Sequence, residues 1–169
     1  MIDPAIGREA DPDDRDAIGE LLRAAFGRPD EAELVERLRA DGAMAAELVT
    51  PWGDRIAAYA GLSRMRAPRG WLCLAPLAVH PDFQGVGPDG RRGRFGSRLS
   101  AALAEAAQEG EAPPIVVLGS VTFYERAGFS AERAARLRTP YPVDHTLLAG
   151  PGGDAPEAAL IYPAAFDAA

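Results

Sequence analysis

The stretch richest in chemical possibility runs Leu77-Ala78-Val79-His80-Pro81-Asp82-Phe83-Gln84-Gly85-Val86-Gly87 and resumes, after an interruption, at Phe95-Gly96-Ser97-Arg98-Leu99. An apolar run leads into a glycine-rich turn, and the turn leads into an amphipathic segment. Glycines permit positive φ and let a ligand approach the backbone closely. A helix starting near Gly96 presents unpaired amide N–H groups and a partial positive charge, so the whole unit suits a pyrophosphate. Pro76, just upstream, cannot donate a ladder hydrogen bond and marks a place for neighbouring strands to part. Parted strands expose backbone groups that an extended, amide-bearing ligand can pair with.

Other residues with chemical potential carry weaker patterns. His80 and His145 have no partner at the spacing of a zinc helix and read as surface or cap residues. Cys73 lies in the most apolar stretch, the setting of an inert core thiol; a nucleophile needs an accessible, electropositive one. As the only cysteine, it excludes an internal disulfide and a cysteine-based zinc site. Asp11, Asp13 and Asp14 read as first-turn carboxylates that complement a helix dipole. Every basic side chain other than histidine is Arg, so a Schiff base on lysine is excluded. Gly85-x-Gly87-x-x-Gly90 is formally a dinucleotide fingerprint. However, no helix opens at its second glycine, and Gly119, not an acidic residue, follows the next apolar strand.

Positioning these residues requires an α/β arrangement. Ile18, Leu21, Leu22 and Phe26 recur at helical spacing over about 12–26, and Leu34, Val35 and Leu38 do so over 31–40. Residues 46–50 and 55–65 read as strands joined by a Pro51-Trp52-Gly53-Asp54 turn. The nearly continuous apolar run 71–79 predicts a strand buried on both faces and interrupted at Pro76. A helix over about 96–109, a short strand 115–118 and a short helix 121–127 stopped by Gly128 follow. Late strands are expected around 145–149 and 159–162, completing a mixed sheet.

Two ordered blocks in this frame resemble the GNAT acetyltransferase superfamily, and most of all its small bacterial predicted acetyltransferases. The first is Leu77 to Gly87 with Gly96-Ser97-x-Leu99. The second is Leu118-Gly119-Ser120-Val121-Thr122-Phe123-Tyr124-Glu125-Arg126-Ala127-Gly128-Phe129. The helix pair near the start and Tyr162-Pro163-Ala164-Ala165-Phe166 near the end are similar too. The resemblance implies a single N-acetyltransferase domain over 1–169, with a mixed, largely antiparallel sheet splayed at the acetyl-CoA site and flanked by helices. It implies acetyl-CoA as co-substrate and direct transfer to a primary amine, on a small molecule or a peptide. The backbone around Leu77, Ala78 and Val79 would pair with pantetheine and polarise the acetyl carbonyl. Gln84, Gly85, Val86, Gly87, Gly96 and Ser97 would cradle the pyrophosphate. Tyr124 would act as general acid, since a hydroxyl of pKa ~10 can protonate a leaving thiolate at neutral pH. Taken alone, Tyr124 reads equally well as a core aromatic beside Phe123 and Phe129. The general base stays open among Glu33, Glu47 and His80. A homodimer stays open as well.

This chain departs from the family pattern at Pro88-Asp89-Gly90-Arg91-Arg92-Gly93-Arg94, where the family passes directly between glycines. Three readings stand: a passive surface loop, which costs little entropy; arginines reaching the CoA phosphates; or a broken phosphate loop. The last would make the chain a non-catalytic acyl-CoA-binding or partner-binding domain. The net charge of −7 argues against nucleic acid, whose phosphates need a clustered basic surface. No apolar run approaches the ~20 residues that span a membrane. With no basic-then-apolar start and a lone cysteine, the expected location is the cytoplasm.

Overall fold

The computed structural model describes residues 2–168, in which six strands form one sheet in the order β1-β2-β3-β4-β5-β6. A two-residue strand β1 (Arg8–Glu9) precedes α1 (Arg15–Phe26) and α2 (Asp30–Ala40), followed by β2 (Met44–Trp52), β3 (Arg55–Arg64) and β4 (Leu72–Val79). Then come α3 (Phe95–Gln108), β5 (Ile115–Leu118), α4 (Val121–Ala127), α5 (Ala131–Ala134) and β6 (Thr146–Ala149). All pairings are antiparallel except β4 with β5. The expected mixed, largely antiparallel sheet is therefore the one observed.

Three expectations need correction. Residues 159–162 form no strand: Ala159 and Ile161 make only single bridges, to Arg138 and Ala67. The two bridges lead to different partners, one parallel and one antiparallel, so no neighbouring pairs join into a ladder. Pro51 and Trp52 belong to β2, so the turn shrinks to Gly53-Asp54, where Gly53 has φ 60°. Residues 12–14 form a 3-10 turn ahead of α1, in which the Asp11 N–H donates to the Asp14 carboxylate at 2.7 Å.

Alternation of side chains across the sheet fills two layers. Leu48, Leu62, Leu74 and Val117 pack on Leu99, Leu103, Ala104 and Ala107 of α3. On the opposite face, Val49, Ile56, Tyr59 and Ala78 meet Ile18, Leu21 and Leu22 of α1. Buried Tyr59 donates its hydroxyl to Glu47 at 2.8 Å, and Arg39 of α2 grips the same carboxylate at 2.7 Å, fixing α2 to the sheet. Desolvation is the main force raising the Tyr59 pKa, with the Glu47 charge adding to it.

The feature that positions the site lies in β4. Ala60 pairs with Leu77 but Leu62 pairs with Leu74, so β4 carries one extra residue at Ala75-Pro76, opposite Gly61. Such a bulge shifts the alternation by one residue. Pro76 sits inside the strand at this bulge instead of ending it. A Cβ on Gly61 would lie 3.1 Å from the Ala75 carbonyl oxygen and 3.1 Å from the Tyr59 hydroxyl, so a side chain there forces the bulge or the Tyr59 hydroxyl to shift. Gly61→Val is expected to lower stability by about 1–3 kcal/mol in a denaturant titration, because neither neighbour can withdraw. A parental midpoint would contradict this reading of the bulge.

Candidate active site

The strands β4 and β5 pair only at Leu72–Ile115 and Cys73–Val116 and then diverge. On its other edge β4 stays paired with β3 as far as Val79. The His80 N–H donates to the Ala57 carbonyl at 2.9 Å. Hydrogen-bonded pairs alternate along an antiparallel ladder, so Tyr59–Ala78 is such a pair, while Ala58–Val79 and Ala60–Leu77 turn their backbone groups away from β3. The Leu77 and Val79 groups therefore face the gap that β5 has left. The Gln84 side-chain amide fills one of these positions, donating to the Val79 carbonyl at 2.8 Å.

The gap widens into a cavity of about 530 Å³. Leu77, Ala78, Val79, Gln84, Gly85, Gly96, Ser97 and Tyr124 all line it, so eight of the site residues expected from sequence converge on one space. Val86 and Gly87 do not line it. Residues 86–92 fold back as a small hairpin, with Val86 bridged to Arg92, and the Gly87 N–H donates to the Arg91 carbonyl at 2.8 Å. Pro88 and Gly90 suit the tight reversal, Gly90 at φ 77°. The interruption is thus a self-closed excursion whose second arm brings Arg92 and Arg94 to the cavity wall and leaves the cavity open beside it.

Phe83, Phe95, Leu118, Gly119, Ser120 and Phe123 complete the lining. Trp52 holds Phe83 and Phe95 edge-on at 5.6 and 5.8 Å between centroids, fixing the turn after β4 against the start of α3. Trp52 gave no signal of this in sequence, because its contacts lie across the sheet. At the start of α3 the first amide N–H groups have no partner within the helix, and Gly96 and Ser97 stand at the wall. The chain thus offers unpaired amides to the cavity from both β4 and α3.

Tyr124 stands on α4, which starts at Ser120, whose hydroxyl accepts from the Phe123 N–H at 3.2 Å. The ring is wedged edge-on between Phe123 and Phe129, and a Cβ on Gly119 would sit 2.9 Å from it. Burial pushes the phenol up to about 12, so it is a protonated donor at neutral pH. Its hydroxyl has no hydrogen-bond partner among the described residues. The ring packs as a core aromatic does, and the residue also lines the cavity.

None of the three candidate bases lines the cavity. Glu33 is exposed on α2, and Glu47 is occupied by Arg39 and Tyr59. The His80 Nδ1 accepts from the Asp82 N–H at 3.1 Å, the cap role expected of it. Burial likewise pushes the Cys73 thiol up to about 12, which keeps it an unreactive core residue.

No protein-family profile matches the sequence. The uncharacterized N-acetyltransferase YjhQ of Escherichia coli strain K12 is 31% identical over 147 residues, spanning 79% of this chain and 74% of that protein. Among solved structures, the GNAT family N-acetyltransferase YhbS of Escherichia coli, in complex with CoA, superposes with a TM-score of 0.81 at 26% identity, covering 99% of this chain and 96% of its own. A GNAT family acetyltransferase of Brucella melitensis, in complex with acetyl-CoA, gives 0.74 at 27% identity over 95% and 97% of the two chains. The chain belongs to the GNAT family of N-acetyltransferases, and its enzymatic class is acyltransferase. Gly119→Ala is expected to displace the Tyr124 ring and lower stability by about 1–3 kcal/mol in a denaturant titration, because the ring is wedged between Phe123 and Phe129. A parental midpoint would show that the ring has room to move.

Proposed function

We propose that this chain transfers the acetyl group of acetyl-CoA to a primary amine, on a small molecule or a peptide, within one domain. The observation that carries the proposal is the set of backbone groups turned away from β3 at Leu77 and Val79, of which only the Val79 carbonyl is occupied, by Gln84, facing a cavity that also holds Tyr124. Pantetheine carries amides in an extended chain and can add to the open edge of β4 as a strand would. Gln84, Gly85, Gly96 and Ser97 sit where the pyrophosphate would follow, at the start of α3. Solved relatives holding CoA or acetyl-CoA support the same ligand here. Among the described residues no helix is long and apolar enough to cross a membrane. The free, buried Cys73 fits a reducing compartment, and the cytoplasm is the location proposed.

The reaction follows from these groups. A neutral amine nitrogen attacks the thioester carbonyl carbon, and a C–N bond forms while the carbonyl oxygen takes up negative charge. Backbone N–H groups along the open edge of β4 stabilise that oxyanion. On collapse the C–S bond breaks, and the Tyr124 hydroxyl delivers its proton to the departing sulfur. The proton lost by the amine passes to water at the cavity mouth. Tyr124 then recovers a proton from solvent. Because burial holds the phenol near 12, it stays protonated across the range in which amines become neutral.

Acetyl-CoA at ~100 times its dissociation constant is expected to stabilise the fold by about 2.7 kcal/mol, visible as a rise in Tm. Folded protein showing no shift at millimolar acetyl-CoA would sink the proposal. Tyr124→Phe is expected to lower kcat by ~10²-fold while acetyl-CoA affinity stays near parental, the signature of a group used only in the chemical step. Full turnover would leave Tyr124 with its packing role alone.

A further inference from the structure

The side chains around the cavity set a condition on the amine that reacts there. Among the described residues, the charged members of the lining are Arg92 and Arg94, both cationic. The other titratable member is Tyr124, which burial keeps as a neutral phenol. The rest of the wall is apolar side chains, glycines, Gln84 and the serines 97 and 120. A protonated amine entering this space gives up its hydration and finds no carboxylate in exchange, which is costly for a charged group.

The groups on neighbouring elements that could take a proton are committed elsewhere. On β2, the Glu47 carboxylate receives Arg39 and the Tyr59 hydroxyl. In the turn after β4, Asp82 is bound by Arg55 of β3 at 2.8 Å, and the His80 Nδ1 accepts from the Asp82 N–H. Burial pushes Cys73 of β4 up to about 12, so it offers no thiolate. Glu125 of α4 and His145 ahead of β6 are exposed and lie outside the lining. A base matters most before attack, because an ammonium nitrogen has no lone pair to give. Once the C–N bond has formed, the nitrogen is acidic enough for water to take its proton. The earlier deprotonation therefore falls to solvent, and the amine's own basicity decides how much of it is ready to react.

We infer that the acceptor is a weakly basic primary amine, of the α-amino class, that enters the cavity already neutral and has left its proton in solvent. The inference rests on the acetyl-transfer reading of the cavity. Near pH 7 roughly one α-amino group in ten is neutral, against roughly one lysine ε-amino group in 2,500. A site with a carboxylate beside the reacting nitrogen could bind the ammonium form and deprotonate it in place. This cavity, walled by neutral groups and arginines, does neither, so strongly basic alkylamines are poor acceptors here.

Two peptides of one sequence test this with the full chain at saturating acetyl-CoA. One has a free α-amine and an acetylated lysine, and the other an acetylated α-amine and a free lysine. Near pH 7, kcat/KM is expected to be at least about tenfold higher for the free α-amine, since the better nucleophilicity of the ε-amine offsets only part of its smaller neutral fraction. For the α-amine, kcat/KM is expected to rise about tenfold per pH unit and level off near 8, whereas for the ε-amine the rise continues past about 9. Profiles that level off at the same pH for both peptides would place the base on the enzyme and overturn the inference. An ε-amine acetylated as fast as the α-amine near neutral pH would overturn it as well, while leaving acetyl transfer standing. A thermal shift with acetyl-CoA, measured alongside, separates the two failures. A raised Tm with transfer to neither peptide nor to an arylamine overturns the inference. An unchanged Tm overturns the acetyl-CoA reading on which it rests.

Discussion

The one-sided pairing of β4 is the constraint on which the rest of the structure depends. One edge of β4 is held by β3 through Val79, while the other loses β5 after Cys73. Strands that part inside a sheet leave backbone donors and acceptors without partners, a situation buried chain normally avoids. The bulge at Ala75-Pro76 decides which groups are left over. By shifting the alternation one residue, it turns the Leu77 and Val79 backbone toward the gap and keeps Ala78 bonded to Tyr59. Gly61 makes the bulge sterically feasible, and the buried Tyr59–Glu47–Arg39 contacts hold the strands beneath it.

The remaining parts of the site are attached to this gap from two sides. From β4 the chain turns through Phe83 and Gln84 into the hairpin and then α3, and Trp52 clamps Phe83 to Phe95. From β5 it passes Gly119 and the Ser120 cap into α4, which delivers Tyr124 to the cavity at the same level. The two strand-to-helix passages face each other across the gap. One brings backbone amides and arginines to the cavity and the other the Tyr124 hydroxyl, the arrangement on which the proposed acetyl transfer draws.

Much of this was legible in the sequence, for local reasons. Helical spacing over about 12–26 and 31–40, the apolar run of β4 and the glycine stop after α4 each depend on neighbours within a few residues. The two motif blocks likewise located most of the cavity lining. Contacts distant along the chain were not legible. Nothing local marks Trp52 as a support for Phe83, or Glu47 as the partner of Tyr59 and Arg39. Ala159 to Tyr162 has the composition of a strand, yet it meets only single partners in space. Val86 and Gly87 fit the glycine pattern but are drawn out of the cavity by the hairpin, whose closure depends on the Arg91 carbonyl and not on residue type.

The most direct test of the open β4 edge is amide hydrogen exchange at Leu77, Ala78 and Val79, followed by NMR as CoA is added. If pantetheine pairs with this edge, exchange at Leu77 and Val79 slows sharply on binding, while Ala78, already bonded to Tyr59, changes little. Saturating CoA that leaves Leu77 and Val79 exchanging at their free rates would contradict it.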